Sequence, residues 1–128
     1  MLLTIAAMLL AQQIPPPPPY GKGCGRYKTP TTEELRKYLV GRVYSDPRWK
    51  SENAVFIFED GTYKQHMHNN LYQSGRYWIN GQTLCKDVGN DRQTICSNIC
   101  IINQDSFYVF DPKLRKNVIP GYYRIGKI

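Results

Sequence analysis

The side chains in this sequence best able to do chemistry are four cysteines, Cys24, Cys85, Cys96 and Cys100, and the pair His66-x-His68. An even number of cysteines in a small exported chain reads as two disulfides. Three connectivities are open. Cys96 and Cys100 lie four positions apart in a stretch that reads as a strand. At about 3.3 Å per residue they stand about 13 Å apart, too far to bond. The hairpin register chooses between the other two. With a turn centred on Asn90-Asp91, Cys85 faces Cys96 across the ladder, and Cys24 is left to reach Cys100. Zinc is the competing use of four thiols. Two thiolates spaced along one strand face do not converge as zinc ligands must, so no metal is expected there. A catalytic thiol needs an unpaired cysteine, and the even count leaves none.

Alternation along a strand places His66 and His68 on one face. With a third ligand they could hold a metal. A two-residue Asp60-Gly61 hairpin adds Lys64 to the same face and puts Phe56, Phe58, Tyr63 and Met67 on the other. The aromatic face is the better core. The expectation is therefore an outward, basic contact surface of Lys64, His66 and His68, with no metal and no cofactor. No nucleophile elbow, phosphate loop or His-Glu metal helix occurs. Most acidic residues fall at caps and turns, where local hydrogen bonding accounts for them. The chain is expected not to be an enzyme.

Thr31 and Glu34 have capping-box spacing, Leu35, Tyr38 and Leu39 share a helical face, and Gly41 is a natural stop. One helix is expected over about 31–40. The remainder reads as strands joined by tight turns. Ala54 to Glu59 and Thr62 to His68 flank Asp60-Gly61. Arg76 to Ile79 and Gln82 to Lys86 flank Asn80-Gly81. Gln93 to Cys100, Phe107 to Asp111 and Tyr122 to Lys127 follow. The fold class is mainly β: an antiparallel meander of seven or eight strands forming a small barrel or sandwich, with one N-terminal α-helix. Ten tyrosines agree with half-buried pleated surfaces.

These elements leave about 100 residues for a single β-rich domain, 30–128. Ahead of it, Met1 to Ala11 is an apolar run too short to span a bilayer, which takes about 20 residues. It matches the apolar part of a signal segment, with cleavage expected after Ala11, although no basic residues lead it. Residues 12–29 read as a spacer: Pro15 to Pro19 in polyproline II, then flexible chain through Gly25. The expected location is the bacterial periplasm or the extracellular space, with no transmembrane span in the mature chain. The formal net charge of +7 points to anionic partners. The cations are scattered until Lys113, Arg115 and Lys116. A protein or an anionic envelope polymer is therefore the expected partner, and nucleic acid is not.

The run Phe56-Ile57-Phe58-Glu59-Asp60-Gly61-Thr62-Tyr63, then Gly75-Arg76-Tyr77-Trp78-Ile79, then Leu84-Cys85 and Cys96, resembles a pattern in small exported bacterial proteins. Those are lipocalin-like β-barrel domains. The resemblance covers about residues 31–110 and implies a barrel with Trp78 packed near the hairpin disulfide. It implies no chemistry and does not extend to Cys24, Cys100 or the prolines. The leading functional expectation is a non-catalytic binding module, inhibitor- or immunity-like, preorganised by its disulfides. The alternative is a small-ligand carrier. A barrel filled by Trp78, Phe56 and Phe58 would exclude a carrier, and a roomy interior would favour one.

Overall fold

In a computed structural model of the chain, the described residues are 14–18, 23–48, 53–68, 70–88, 93–111 and 120–128. The signal segment, its cleavage point, Pro19, the Asn90-Asp91 turn and the cluster at 113–116 lie outside them. Helix α1 (Thr32–Leu39) starts as its capping box requires. Thr31 Oγ1 accepts from the Glu34 N–H at 3.2 Å, and Glu34 Oε1 accepts from the Thr31 N–H at 3.1 Å. Gly41 ends the helix region at φ +80, a conformation open to glycine at little cost.

Eight antiparallel strands follow in sequential order: β1 (Arg42–Ser45), β2 (Ala54–Ile57), β3 (Thr62–Met67), β4 (Asn70–Asn80), β5 (Thr83–Val88), β6 (Gln93–Asn103), β7 (Ser106–Phe110) and β8 (Gly121–Lys127). They form a closed barrel, because β1 also pairs with β8, Tyr44 opposite Ile125. The expected mainly-β meander is therefore a barrel, not a sandwich. Its closing strand, β1, has only four residues and was not among the expected strands.

The helix plugs one end. Leu35 and Leu39 are fully buried in the core with Tyr44, Ile57, Ile79, Leu84 and Phe107. Thr32 Oγ1 accepts from the Gly81 N–H at 2.6 Å in the β4–β5 turn. The Tyr38 hydroxyl is shared by the Asn103 and Ser106 carbonyls beside the β6–β7 turn. Both ties lie at the same barrel end, and α1 does not reach the opposite one.

One hairpin departs from its expected register, and this exchanges two faces. Ile57 pairs with Tyr63, and the Phe58 N–H donates to the Thr62 carbonyl. The loop is therefore three residues, Glu59-Asp60-Gly61, with Gly61 at φ +87. Asp60 Oδ1 accepts from both the N–H and the hydroxyl of Thr62 and holds that geometry. A one-residue shift sends each β2 side chain to the other face. Val55 and Ile57 point inward with Tyr63, while Phe56 and Phe58 lie outside with Lys64. The expected sharing of one face by Phe56, Phe58, Tyr63 and Met67 is corrected accordingly.

From Cys24 onward the chain before the helix is held rather than flexible as expected, while residues 20–22 lie outside the described ones. Cys24 is buried, the Tyr27 N–H donates to the Cys24 carbonyl, and Lys28 bridges Ile101. The Cys24–Cys100 disulfide holds this segment on the outside of β6.

Candidate functional site

The disulfides orient the inner wall. Cys85 pairs with Cys96 in register and is bonded to it, on the outward face of β5. Its neighbours Leu84, Lys86 and Val88 therefore face inward. Trp78 lies opposite Cys85, next to the disulfide as expected, but on the outside, where it is 42% exposed. The three aromatic residues expected to fill the barrel are all outside it.

A cavity of about 240 Å³ occupies the interior towards the end opposite the helix. Tyr44, Val55, Met67, Leu84, Ile99, Val109 and Tyr123 supply its apolar wall, and Ser45, Asp46, Asn53, Gln65, Lys86 and Ser97 its polar groups. The volume equals the liquid share of about eight waters, at about 30 Å³ each. Eight-stranded barrels are just wide enough to be filled by side chains or to hold one small ligand. This one has left room.

Lys86 is the notable member of the wall. Burial holds its ammonium below the usual lysine pKa. Its Nζ lies 5.4 Å from the centroid of the Tyr63 ring, a cation–π contact. Among the described residues no carboxylate forms an ion pair with it. Asp46, 8% exposed and lining the same cavity, is already engaged. Its carboxylate accepts from the Arg48 backbone N–H, Nε and Nη2, the last at 2.7 Å. Burial alone would raise the Asp46 pKa, and the Arg48 hydrogen bonds outweigh it, leaving it below the usual value. Burial raises the Tyr44 and Tyr123 phenols, so they remain neutral donors. Among the described residues the cavity thus offers a cation with no ion-pair partner in a mixed lining, whose one carboxylate, Asp46, is held by Arg48.

Gly75 makes the Tyr63 position possible. Tyr63 and Gly75 are cross-strand partners, and the Tyr63 hydroxyl donates to the Asp87 carbonyl on β5 at 2.6 Å. A Cβ at Gly75 would stand 2.7 Å from that same backbone oxygen and 3.2 Å from the ring. The backbone oxygen cannot swing aside. Gly75→Ala is therefore expected to destabilise the barrel by about 1–3 kcal/mol, as overpacking does. A chemical-denaturation midpoint no lower than that of the parent would contradict it.

No family model, curated protein or solved structure matches the chain. The site is read from its own geometry.

The expected contact surface is brought together only in part. Lys64 and His66 share the outer face with Phe56 and Phe58. Phe56 stacks on Phe58 with centroids 6.4 Å apart, His66 lies 5.2 Å from Phe56, and Lys64 Nζ sits 6.0 Å above the Phe58 ring. β3 ends at Met67, and His68 is in the following turn at φ +53, so strand alternation does not carry it onto this face. All four cysteines are in disulfides, with the expected pairing. Among the described residues no three His, Cys, Asp or Glu side chains gather as metal ligands would. Sequence reasoning missed Lys86. The available signal is Leu84-x-Lys86-x-Val88, alternating against a Cys85 expected to face Cys96.

Proposed function

We propose that this chain is an exported carrier that holds a small anionic amphiphile inside its barrel, with Lys86 as the counter-ion. The observation that carries this reading is an ammonium in the wall of an internal cavity that has no carboxylate partner among the described residues. A buried charge without a partner is costly, and a ligand carboxylate in the cavity would supply the missing partner. The apolar wall would take a short hydrocarbon tail. Cavities of this kind use a few polar groups to orient a mostly apolar ligand. Two disulfides fit an oxidising compartment, and among the described residues no helix is long and apolar enough to cross a membrane. The disulfides support work outside the cytoplasm, in the periplasm or beyond the cell.

Octanoate, a carboxylate of suitable size, is the test probe. Calorimetric titration is expected to give one site per chain. Octylamine, of equal length and opposite charge, is expected not to bind. Equal binding of both would remove Lys86 from the account, and binding of neither would remove the carrier.

A second reading rests on the outer face. Stacked Phe56 and Phe58, flanked by Lys64 and His66, would suit a protein or an anionic polymer. Its signature would be a partner captured from envelope extract at low salt and lost at high salt.

A further inference from the structure

The chain bears a second feature away from the cavity: its own proline run lies against a tyrosine face. Tyr108 on β7 and Tyr122 on β8 are cross-strand partners pointing outward, with ring centroids 5.5 Å apart. Tyr27 adds a third ring, 5.8 Å from Tyr108. The Tyr108 hydroxyl donates to the Pro15 carbonyl, and the Tyr27 hydroxyl donates to the Pro16 carbonyl.

The burial of the prolines has a period. Pro15 is half-buried and Pro18 buried, while Pro16 and Pro17 are exposed. A polyproline II helix has three residues per turn, so Pro15 and Pro18 fall on one edge. No cis peptide bond occurs among the described residues, as that helix requires. Clustered aromatic rings that donate side-chain hydrogen bonds to proline carbonyls are the means by which aromatic grooves read proline-rich segments. Such ligands are already stiff and lose little entropy on docking. The groove is also held in place. Cys24 and Cys100 are buried with Tyr108 and Tyr122 in one cluster, so the disulfide fastens Tyr27 beside the sheet.

We propose that the Tyr27–Tyr108–Tyr122 face is a polyproline-binding site, occupied in cis by Ile14–Pro18 and open to a proline-rich segment of another protein only by displacement. The covalent tether through residues 19–23 puts the internal ligand at an effective concentration in the millimolar range. A partner must therefore compete with it, so the site is self-screened. Burial, and then the neighbouring Tyr27 and Tyr122 hydroxyls, push the Tyr108 pKa up to about 12, so its hydroxyl is a donor throughout the neutral range.

The test uses the full chain and a synthetic peptide with the sequence of residues 14–20. In the variant with Pro15, Pro16, Pro17 and Pro18 all replaced by Ser, the cis ligand is disabled. The peptide is expected to bind this variant at least about tenfold more tightly than the parent, which is already occupied. Adding Tyr108→Phe to that variant is expected to weaken the peptide about fivefold through one lost hydrogen bond, leaving the ring in place. Pro18→Ser alone should give a smaller gain in the same direction, with less change to the chain. Near-ultraviolet circular dichroism checks that each variant keeps its packed tyrosines. Equal binding to parent and variant, no binding to either, or indifference to Tyr108→Phe overturns the proposal.

Discussion

Lys86→Met is expected to make the protein more stable and to abolish its affinity for octanoate. Methionine keeps most of the length of the lysine stem and removes the charge. The ammonium sits in the barrel wall, partly buried, with an aromatic ring and no carboxylate partner among the described residues, so its desolvation is poorly compensated. Its removal should stabilise the fold by on the order of 1 kcal/mol. The same change takes away the counter-ion, and affinity should fall by at least about thirtyfold, in keeping with the roughly 2 kcal/mol or more of a charge-assisted hydrogen bond. Opposite signs for stability and binding are what a functional site built at the expense of the fold produces. A variant that loses stability and binding together would mean that Lys86 is a structural residue.

The pH dependence gives the same variant a second readout. Burial lowers the Lys86 pKa in the folded state relative to about 10.4 in the unfolded chain. Between those values the unfolded chain holds a proton that the folded chain does not, so stability rises with pH across that window. Below the folded value both states are protonated and the penalty is constant. Buried tyrosines act in the other sense. Burial raises Tyr44, Tyr63 and Tyr108, so their contribution is lost as pH climbs above about 10. The parent should therefore gain stability towards pH 10 and lose it beyond. Lys86→Met should lack the gain and keep the loss. Octanoate requires the charged amine, so its affinity should decline as pH rises through the lysine pKa.

What the sequence made legible, and what it hid, follows from turn chemistry. An Asn90-Asp91 turn implied Cys85 opposite Cys96, and that is the observed register. At Asn80-Gly81 the loop is Gly81-Gln82 instead, with Asn80 paired to Thr83. This moves the partners by two positions, which does not change which side chains share a face, and Tyr77, Ile79 and Leu84 lie inside. At Asp60-Gly61 one added loop residue moves them by one, and Phe56 and Phe58 cross to the outside. Both loops carry an apparent two-residue hairpin signal. The difference lies in the Asp60 carboxylate, which captures the Thr62 N–H and hydroxyl and favours the longer loop. The cavity was hidden for the same reason, because the rings expected to fill it are elsewhere. Lys86 was hidden because a charged residue in an alternating strand is ordinarily an outward one.

The two disulfides should be unequal, and the larger effect belongs to the bridge outside the hairpin. Cys24–Cys100 joins residues 76 positions apart, and Cys85–Cys96 residues 11 apart. In the chain-entropy account, removing the first costs about 4.5 kcal/mol and the second about 3 kcal/mol. Native interactions widen the gap. Cys85 and Cys96 are already opposed in a ladder that continues on both sides, so the hairpin survives without its bridge. Around Cys24 the described segment keeps the Lys28–Ile101 bridge, the Lys28–Glu34 ion pair and the tyrosine cluster, but no continuous ladder, in place of its covalent tie. Alanine at both positions is the appropriate replacement, since a serine hydroxyl beside the fully buried Cys100 site would lack a partner. Against a total of about 5–15 kcal/mol for a small domain, the Cys24→Ala/Cys100→Ala variant should lose about 20 °C in Tm. Cys85→Ala/Cys96→Ala should lose clearly less and keep its near-ultraviolet spectrum. Reduction under native conditions should open Cys85–Cys96 first, because Cys96 is partly exposed while Cys24 and Cys100 are buried. Equal midpoints for the two variants, or first reduction at Cys24–Cys100, would show that loop size and burial do not govern how this barrel is held together.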